Sequence, residues 1–357
     1  MRIAFMSWRD LANDLAGGAE IFVDRLAVEL LSMGHDVMLL CGGPVGPRPY
    51  RVVETGGTYS QYVRAPIVHH RVAKDWDLLV DTENGIPFFS PLWRRGPILA
   101  CVYHVHSEQW DQRFSPAVAA VGRFAESRVM PLVYRRTPFM AISSSTASAL
   151  EGIGINKSRI HVLQAGVDPP SPDLCERSAE PLFVCLGRLV PHKRVDLLLR
   201  AWNRVRPVTK GKLLVVGDGP DRKALEALAG EGVEFTGRVG DDEKWKILSR
   251  AWALIHPAHH EGWGIVIIEA AEVGTPAVGF DVPGVRDAIV DDVSGLLVAS
   301  EDALVREWIE IAQNRPLLDR LSDGARRHGS HFGWDQVARD FSDIAQGIVG
   351  SAAKFRR

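Results

Sequence analysis

Short runs of aliphatic and β-branched residues alternate with longer stretches whose apolar positions recur every three to four residues, and this alternation fills most of the chain. The short runs predict buried strands and the longer stretches amphipathic helices, so the chain reads as strand–helix–strand units around parallel sheets. The pattern occurs twice. The first series comprises RIAFMS, the helix AEIFVDRLAVELLSMG, DVMLLC, DLLVD, PILACVYH and FMAIS. In that helix positions 21, 22, 25, 26, 29 and 30 trace a 3.6-residue stripe, and Gly34 is the stop. The second series runs from LFVCLGRL through RVDLLLRAWNRV, KLLVVGDGP, DRKALEALAG, VEFTG, DEKWKILSRA, WALIHP, a helix around Glu269, PAVGF and SGLLV. Between them VDPPSPDLCERSAEP has no periodicity and reads as a linker, which puts a domain boundary near residues 170 to 180.

Composition narrows the class. At 357 residues the chain exceeds the usual size of one core, and two domains are the natural expectation. Apolar residues make up 46% and charged residues 24%, with 42 Lys plus Arg against 44 Asp plus Glu, so nothing points to nucleic-acid binding or to an acidic tail. Cys41, Cys101, Cys175 and Cys185 are scattered without a Cys-x-x-Cys pair, as expected of core thiols in a reducing, cytoplasmic setting. MRIAFMSW is too short for a signal peptide, and no apolar run approaches the roughly 18 residues that span a bilayer.

Ligands of parallel sheets bind at the carboxyl ends of the strands, so the loops there are where chemistry is expected. Gly17 and Gly18 precede a helix, where bare backbone N–H groups suit an anion, although a tight turn explains them equally well. Neither AGGAEIFV nor GDGPDRKA completes G-x-G-x-x-G, since Arg222 stands where the last glycine belongs, and a nicotinamide reading loses ground. Arg188 and Lys193 bring two cations beyond the strand LFVCLG, a pair suited to a diphosphate whose charge grows as it leaves; Lys193 as a solvated helix start is the alternative. Arg194 is expected to face solvent or an acidic neighbour.

In HHEGWGIVIIEAAEVGTP, Gly262 and Gly264 let backbone approach a ligand, and Glu261 and Glu269 suit the hydroxyls of one polyol. Glu269 follows IVII and is expected to be partly buried with a partner, whereas Glu272 is expected to face solvent. His104 and His106 end a strand. They are expected to point opposite ways, which suits a hydrogen bond to a substrate hydroxyl, from His104, better than a metal. Asp75 and Asp77 in DWD read as turn residues, and no G-x-S-x-G supports a serine hydrolase. The stretch Arg113 to Arg136 carries Arg113, Arg123, Arg128, Arg135 and Arg136 against Glu126 alone. It reads either as a cationic helix resting on an anionic membrane or as a solvated helix with an apolar core face that Pro131 interrupts.

These residues together resemble the family 4 retaining glycosyltransferases of GT-B fold, whose hallmark of two Glu separated by seven residues is here EGWGIVIIE, Glu261 to Glu269. Further matches are GGAE, GRLVPHKRVDLLLRAW, VVGDGP, FTGRV and GTPAVGFDVPGVRDAIVDDVSGLLV; HVHSEQW and DTENGIPFFSPLW resemble a bacterial branch that acts on polysaccharides or natural products. The resemblance implies an α/β fold of two Rossmann-like parallel-sheet domains facing each other across a cleft. These would be an acceptor-binding domain, 1–172 rejoined by the helix 334–357, and a donor-binding domain, 180–333. It implies that Arg188 and Lys193 hold the donor diphosphate. Glu261 and the backbone of Gly262, Trp263, Gly264 and Ile265 would contact the transferred sugar, and Glu269 the ribose. Gly217, Arg238 and Val239 would lie near the base, while Gly17, Gly18 and His104 come from the first domain.

The donor implied is a UDP- or GDP-sugar, with no cofactor and no metal, and the acceptor a glycan, a lipid-linked glycan or a small molecule. Peripheral contact with the inner face of a membrane follows if the cationic stretch rests on lipid. Trp263 stands where many members carry Phe, and Asp292 where Gly is usual. A nucleotide-sugar epimerase of the same fold, a non-catalytic nucleotide-sugar binder and a nicotinamide oxidoreductase remain as alternatives.

Overall fold

The structure, a computed structural model, describes the chain except residues 15, 84, 107–109, 111–114 and 355–357, with backbone alone at 353 and 354. Arg113, the Asn of DTENG and the SEQ of HVHSEQW lie outside the described residues. The chain divides into two compact units, Met1–Gly166 with Trp334–Arg357, and Val167–Gly333.

The first unit holds a parallel seven-stranded sheet in the order β3-β2-β1-β4-β5-β6-β7. The strands are β1 (Arg2–Arg9), β2 (Asp36–Gly42), β3 (Arg51–Gly56), β4 (Leu78–Glu83), β5 (Ile98–Val102), β6 (Phe139–Ala141) and β7 (Ile160–Val162). Strands β4, β5 and β6 are buried along their whole length, as a sheet covered on both faces requires. The helix Gly18–Ser32 buries Phe22, Val23, Leu26, Ala27 and Leu30, while Ile21 is exposed, so the stripe is centred one position later than the sequence pattern places it. The helix Trp334–Lys354 belongs to this unit. Trp334 lies 5.9 Å from Phe22 and Phe341 stacks 5.9 Å from Phe5. In DWD the Asp77 carboxylate accepts the Arg2 backbone N–H at 2.8 Å, a turn-fixing role.

The second unit holds a parallel six-stranded sheet, β10-β9-β8-β11-β12-β13. Its strands are β8 (Leu182–Leu186), β9 (Lys212–Val216), β10 (Val233–Gly237), β11 (Ala253–His256), β12 (Ala277–Phe280) and β13 (Gly295–Val298). Phe183, Trp202 and Trp308 pack as an aromatic cluster at 5.4 to 6.1 Å beneath it. The stretch read as a linker is tied to this unit: the Cys175 N–H donates to Ser249 Oγ, and the Ser178 N–H to the Arg250 carbonyl. Contacts therefore divide the chain at Gly166, before the Pro-rich segment. Cys41, Cys101 and Cys185 are buried thiols, but Cys175 is exposed, because that segment runs over the surface. In each sheet the strand order reverses at one place, between β1 and β4 and between β8 and β11, and such switch points are where ligands bind in open α/β sheets.

Candidate active site

The second switch point is built from two loops that cross backbone on backbone. A Cβ at Gly217 would lie 1.9 Å from the Gly187 carbonyl oxygen, and one at Gly219 would lie 2.2 Å from that of Leu189. Gly217 also adopts φ +126°, a conformation open to glycine and costly for other residues. The loop after β8 is held down by Gly187 N–H to the Val216 carbonyl and Leu189 N–H to the Asp218 carbonyl, both 3.0 Å. Gly217 in turn donates to Gly237 at 2.8 Å, which puts Arg238 and Val239 beside this crossing.

On that platform Lys193, in the 3-10 turn Pro191–Lys193, donates to Glu261 Oε1. His256, the last residue of β11, approaches the same oxygen through Nε2 at 2.9 Å. Burial pushes the Glu261 carboxyl up, but Lys193 first and then His256 pull it well below the usual carboxylate range. Burial lowers the His256 pKa, against the pull of Glu261. Arg188, Lys193 and His256 line one small cavity. Arg188 is exposed, and its guanidinium has no ion pair among the described residues; the same holds for Arg238. Arg194 pairs with Glu301 at 3.3 Å.

The helix Ile265–Glu272 starts from Gly264 at φ +77°. A Cβ at Gly284, itself at φ +83°, would lie 2.2 Å from the Glu261 carbonyl oxygen, so the PGV loop backs the EGWG turn. Trp263 is buried with its ring 5.3 Å from Phe332. Glu269 has the partner that its burial demands: Lys244 Nζ at 2.8 Å, which also binds Asp241 at 3.0 Å. Burial raises the Glu269 carboxyl while Lys244 opposes. Glu272 is half-buried, and burial raises its carboxyl also. Sequence reasoning missed His256 and Lys244. His256 ends a strand directly before a proline, the one signal that marks it; Lys244 sits in a charged first turn that reads as solvated surface.

In the first unit the Gly17 N–H donates to Glu20 Oε2 at 2.7 Å, and Glu20 pairs with Arg9 at 2.9 Å. That donor is therefore engaged by its own helix, whereas a Cβ at Gly18 would meet nothing within 4 Å. His104 and His106 do not diverge. They lie beyond β5 in irregular backbone, and their ring centroids are 3.9 Å apart. Among the described residues no cluster of three His, Cys, Asp or Glu is arranged to hold a metal.

Two family models match the chain: Glycosyltransferase Family 4 over residues 16–170 and Glycosyl transferases group 1 over residues 172–328. The D-inositol 3-phosphate glycosyltransferase of Streptomyces coelicolor is 32% identical over 188 residues, 48% of this chain and 41% of that protein. Its namesake from Xylanimonas cellulosilytica is 32% identical over 237 residues, 57% of this chain and 56% of that protein. The aligned part thus spans about half the length of these relatives. Sucrose-phosphate synthase from Thermosynechococcus elongatus superposes with a TM-score of 0.81 at 19% identity, covering 98% of this chain and 99% of that one. Anabaena HepE, in complex with UDP and glucose, superposes with a TM-score of 0.76 at 16% identity, covering 98% and 100%.

Proposed function

As the chain belongs to glycosyltransferase family 4 and has the GT-B fold, we propose that it moves a glycosyl group from a nucleotide-sugar donor to an acceptor hydroxyl with retention of anomeric configuration. The observation that carries this reading is the arrangement at the carboxyl ends of β8 and β11, where Arg188, without an ion pair among the described residues, adjoins the Lys193–Glu261–His256 cluster. Lys193 has two further N–H donors beyond the one on Glu261, and Arg188 has its whole fork, so both can meet a diphosphate. The bond from the anomeric carbon to the diphosphate oxygen breaks, its electron pair leaves with the phosphate, and the acceptor oxygen bonds to the same face of the sugar. The acceptor proton passes to the departing phosphate. Arg188 and Lys193 stabilise the charge that grows there, which makes a divalent ion unnecessary. Glu261, kept ionised and neutralised by Lys193, accepts hydrogen bonds from sugar hydroxyls and is a poor nucleophile. The backbone of Gly262, Trp263, Gly264 and Ile265 completes the sugar site. Glu269 takes the ribose hydroxyls in exchange for part of its contact with Lys244, and Gly217, Arg238 and Val239 border the base.

The HepE complex with UDP and glucose supports a nucleoside diphosphate sugar, UDP- or GDP-linked, as the donor here. The acceptor is a hydroxyl of a glycan, a lipid-linked glycan or a small molecule, a class that includes the phosphorylated cyclitol in the relatives' name. Turnover of a donor panel in the presence of chelator, with the product anomer read by proton NMR, tests the proposal. Retained configuration without metal is expected. An inverted product, or epimerised donor without an acceptor, would overturn it.

The cationic stretch supports a peripheral membrane contact. Its helix Pro116–Phe124, π-turn Ala125–Val129 and helix Met130–Val133 bury Ala119, Gly122, Glu126 and Met130. Val121, Phe124 and Leu132 are 69%, 62% and 72% exposed, beside exposed Arg128, Arg135 and Arg136. Outward apolar side chains among cations suit an anionic interface. No described helix is long and apolar enough to cross a membrane. Co-sedimentation with phosphatidylglycerol vesicles is expected, weakened in Phe124→Asp; equal recovery of parent and variant would sink the contact.

A further inference from the structure

Glu126 is a buried carboxylate that the site described so far does not use. It lies in the π-turn Ala125–Val129, an insertion that recurs at functional sites because it turns a side chain out of the regular helical register. Its Oε1 accepts the His106 backbone N–H at 2.7 Å and lies 3.2 Å from His106 Nδ1; its Oε2 accepts Trp110 Nε1–H at 3.1 Å. Trp110 is hemmed in. A Cβ at Gly122 would lie 2.5 Å from its ring, and one at Gly85 would lie 3.5 Å from it.

The His106 ring is thus fixed on one side by Glu126, and its centroid is 3.9 Å from that of His104. Beside them at the end of β4, Glu83 is equally buried, and its Oε1 has no hydrogen-bond partner among the described residues. Burial pushes both carboxyls up, Glu83 furthest, while the His106 backbone and Trp110 oppose it at Glu126. At Glu126 both oxygens are acceptors, Oε1 from the His106 backbone N–H and Oε2 from Trp110 Nε1–H, so the carboxylate presents acceptors to the histidine.

We propose that Glu126 is a positioning residue: by accepting the Nδ1–H of His106 it fixes the ring against which His104 packs, and so orients His104 for its hydrogen bond to a substrate hydroxyl. This rests on the reading of His104 as a hydrogen-bond partner of a substrate hydroxyl. With Nδ1 carrying the proton, His106 keeps one tautomer and one ring plane, as histidines with a carboxylate partner do.

Two measurements test it. Nitrogen-15 NMR of the parent protein should show a slowly exchanging Nδ1–H on His106. In turnover, Glu126→Ala should lower kcat by roughly ten- to a hundredfold, the usual cost of removing a histidine's orienting partner, with donor KM within about twofold. Glu126→Gln, which keeps one acceptor oxygen, should recover most of the loss. In a His104→Ala background, Glu126→Ala should cost nothing further, since groups that act as one unit are not additive. An Nε2–H tautomer of His106 in the parent would overturn the proposal without any variant, even if Glu126→Ala does not fold. Full additivity of a costly His104→Ala with Glu126→Ala would overturn the proposal alone. Parental turnover in His104→Ala would overturn the substrate-hydroxyl reading of His104 and the proposal with it.

Discussion

Arg188 and Lys193 are both assigned to the proposed diphosphate clamp, yet they sit in different physical situations. Arg188 is exposed and unpaired among the described residues, so Arg188→Ala should leave Tm unchanged while turnover falls by about a hundred- to a thousandfold. Lys193 neutralises a largely buried carboxylate, and Lys193→Ala should cost both activity and stability, the latter by about 3–5 kcal/mol in thermal unfolding. The pH dependence follows from Glu261. Its folded pKa lies well below the ordinary 4.5, so its stabilisation is complete above 4.5 and is lost as pH falls towards the folded value. Glu261→Gln lacks this contribution, and its Tm should fall less steeply than the parent's between about pH 5 and pH 3. Glu261, Glu269, Arg188 and Lys193 could be singled out as candidates because their spacing places them at strand ends and a helix start. His256 and Lys244 were not, since a lone histidine and a lysine in a charged turn acquire meaning only when the fold brings a carboxylate to them.

At the scale of elements, the buried strands were legible as unbroken apolar runs, and the strands missed were β3 and β7. Both are edge strands with half-exposed, partly polar sequences, so neither shows the apolar continuity of a central strand. The π-turn at Ala125–Val129 was equally unreadable, because a single inserted residue leaves composition and period almost untouched. The expected divergence of His104 and His106 failed in its premise, because positions i and i+2 of an extended segment share a face, and the two rings do lie side by side just beyond β5. The glycine crossing yields a sharp expectation. Gly217→Ala places a methyl into the Gly187 carbonyl at a positive φ, and should abolish nucleotide binding and lower Tm; unchanged binding would show that the crossing does not shape the site. Asp292, at φ +57°, does as a turn residue what glycine would do, with its carboxylate 2.6 Å from Arg320. Asp292→Gly should therefore stay within about 1 kcal/mol of the parent in denaturant unfolding.

For the whole molecule, the two-series pattern made both sheets legible, while contacts divide the chain at Gly166, ahead of the Pro-rich stretch. The pattern did not show that this stretch packs on the second unit, since backbone bonds such as Ser178 to Arg250 leave no mark in composition. The helix Trp334–Lys354 completes the core of the first unit through a fully buried Phe341, and Phe341→Ala should destabilise that unit by about 3–5 kcal/mol. The central claim, that the carboxyl ends of β8 and β11 hold a nucleoside diphosphate through protein cations, is tested most directly by calorimetric titration. Metal-free protein would be titrated with UDP, GDP, ADP, dTDP and NAD, and the series repeated on Arg188→Ala. Tight binding of one nucleoside diphosphate, lost in the variant, is the predicted result. Binding of NAD alone, or of a diphosphate only when metal is added, would contradict the account.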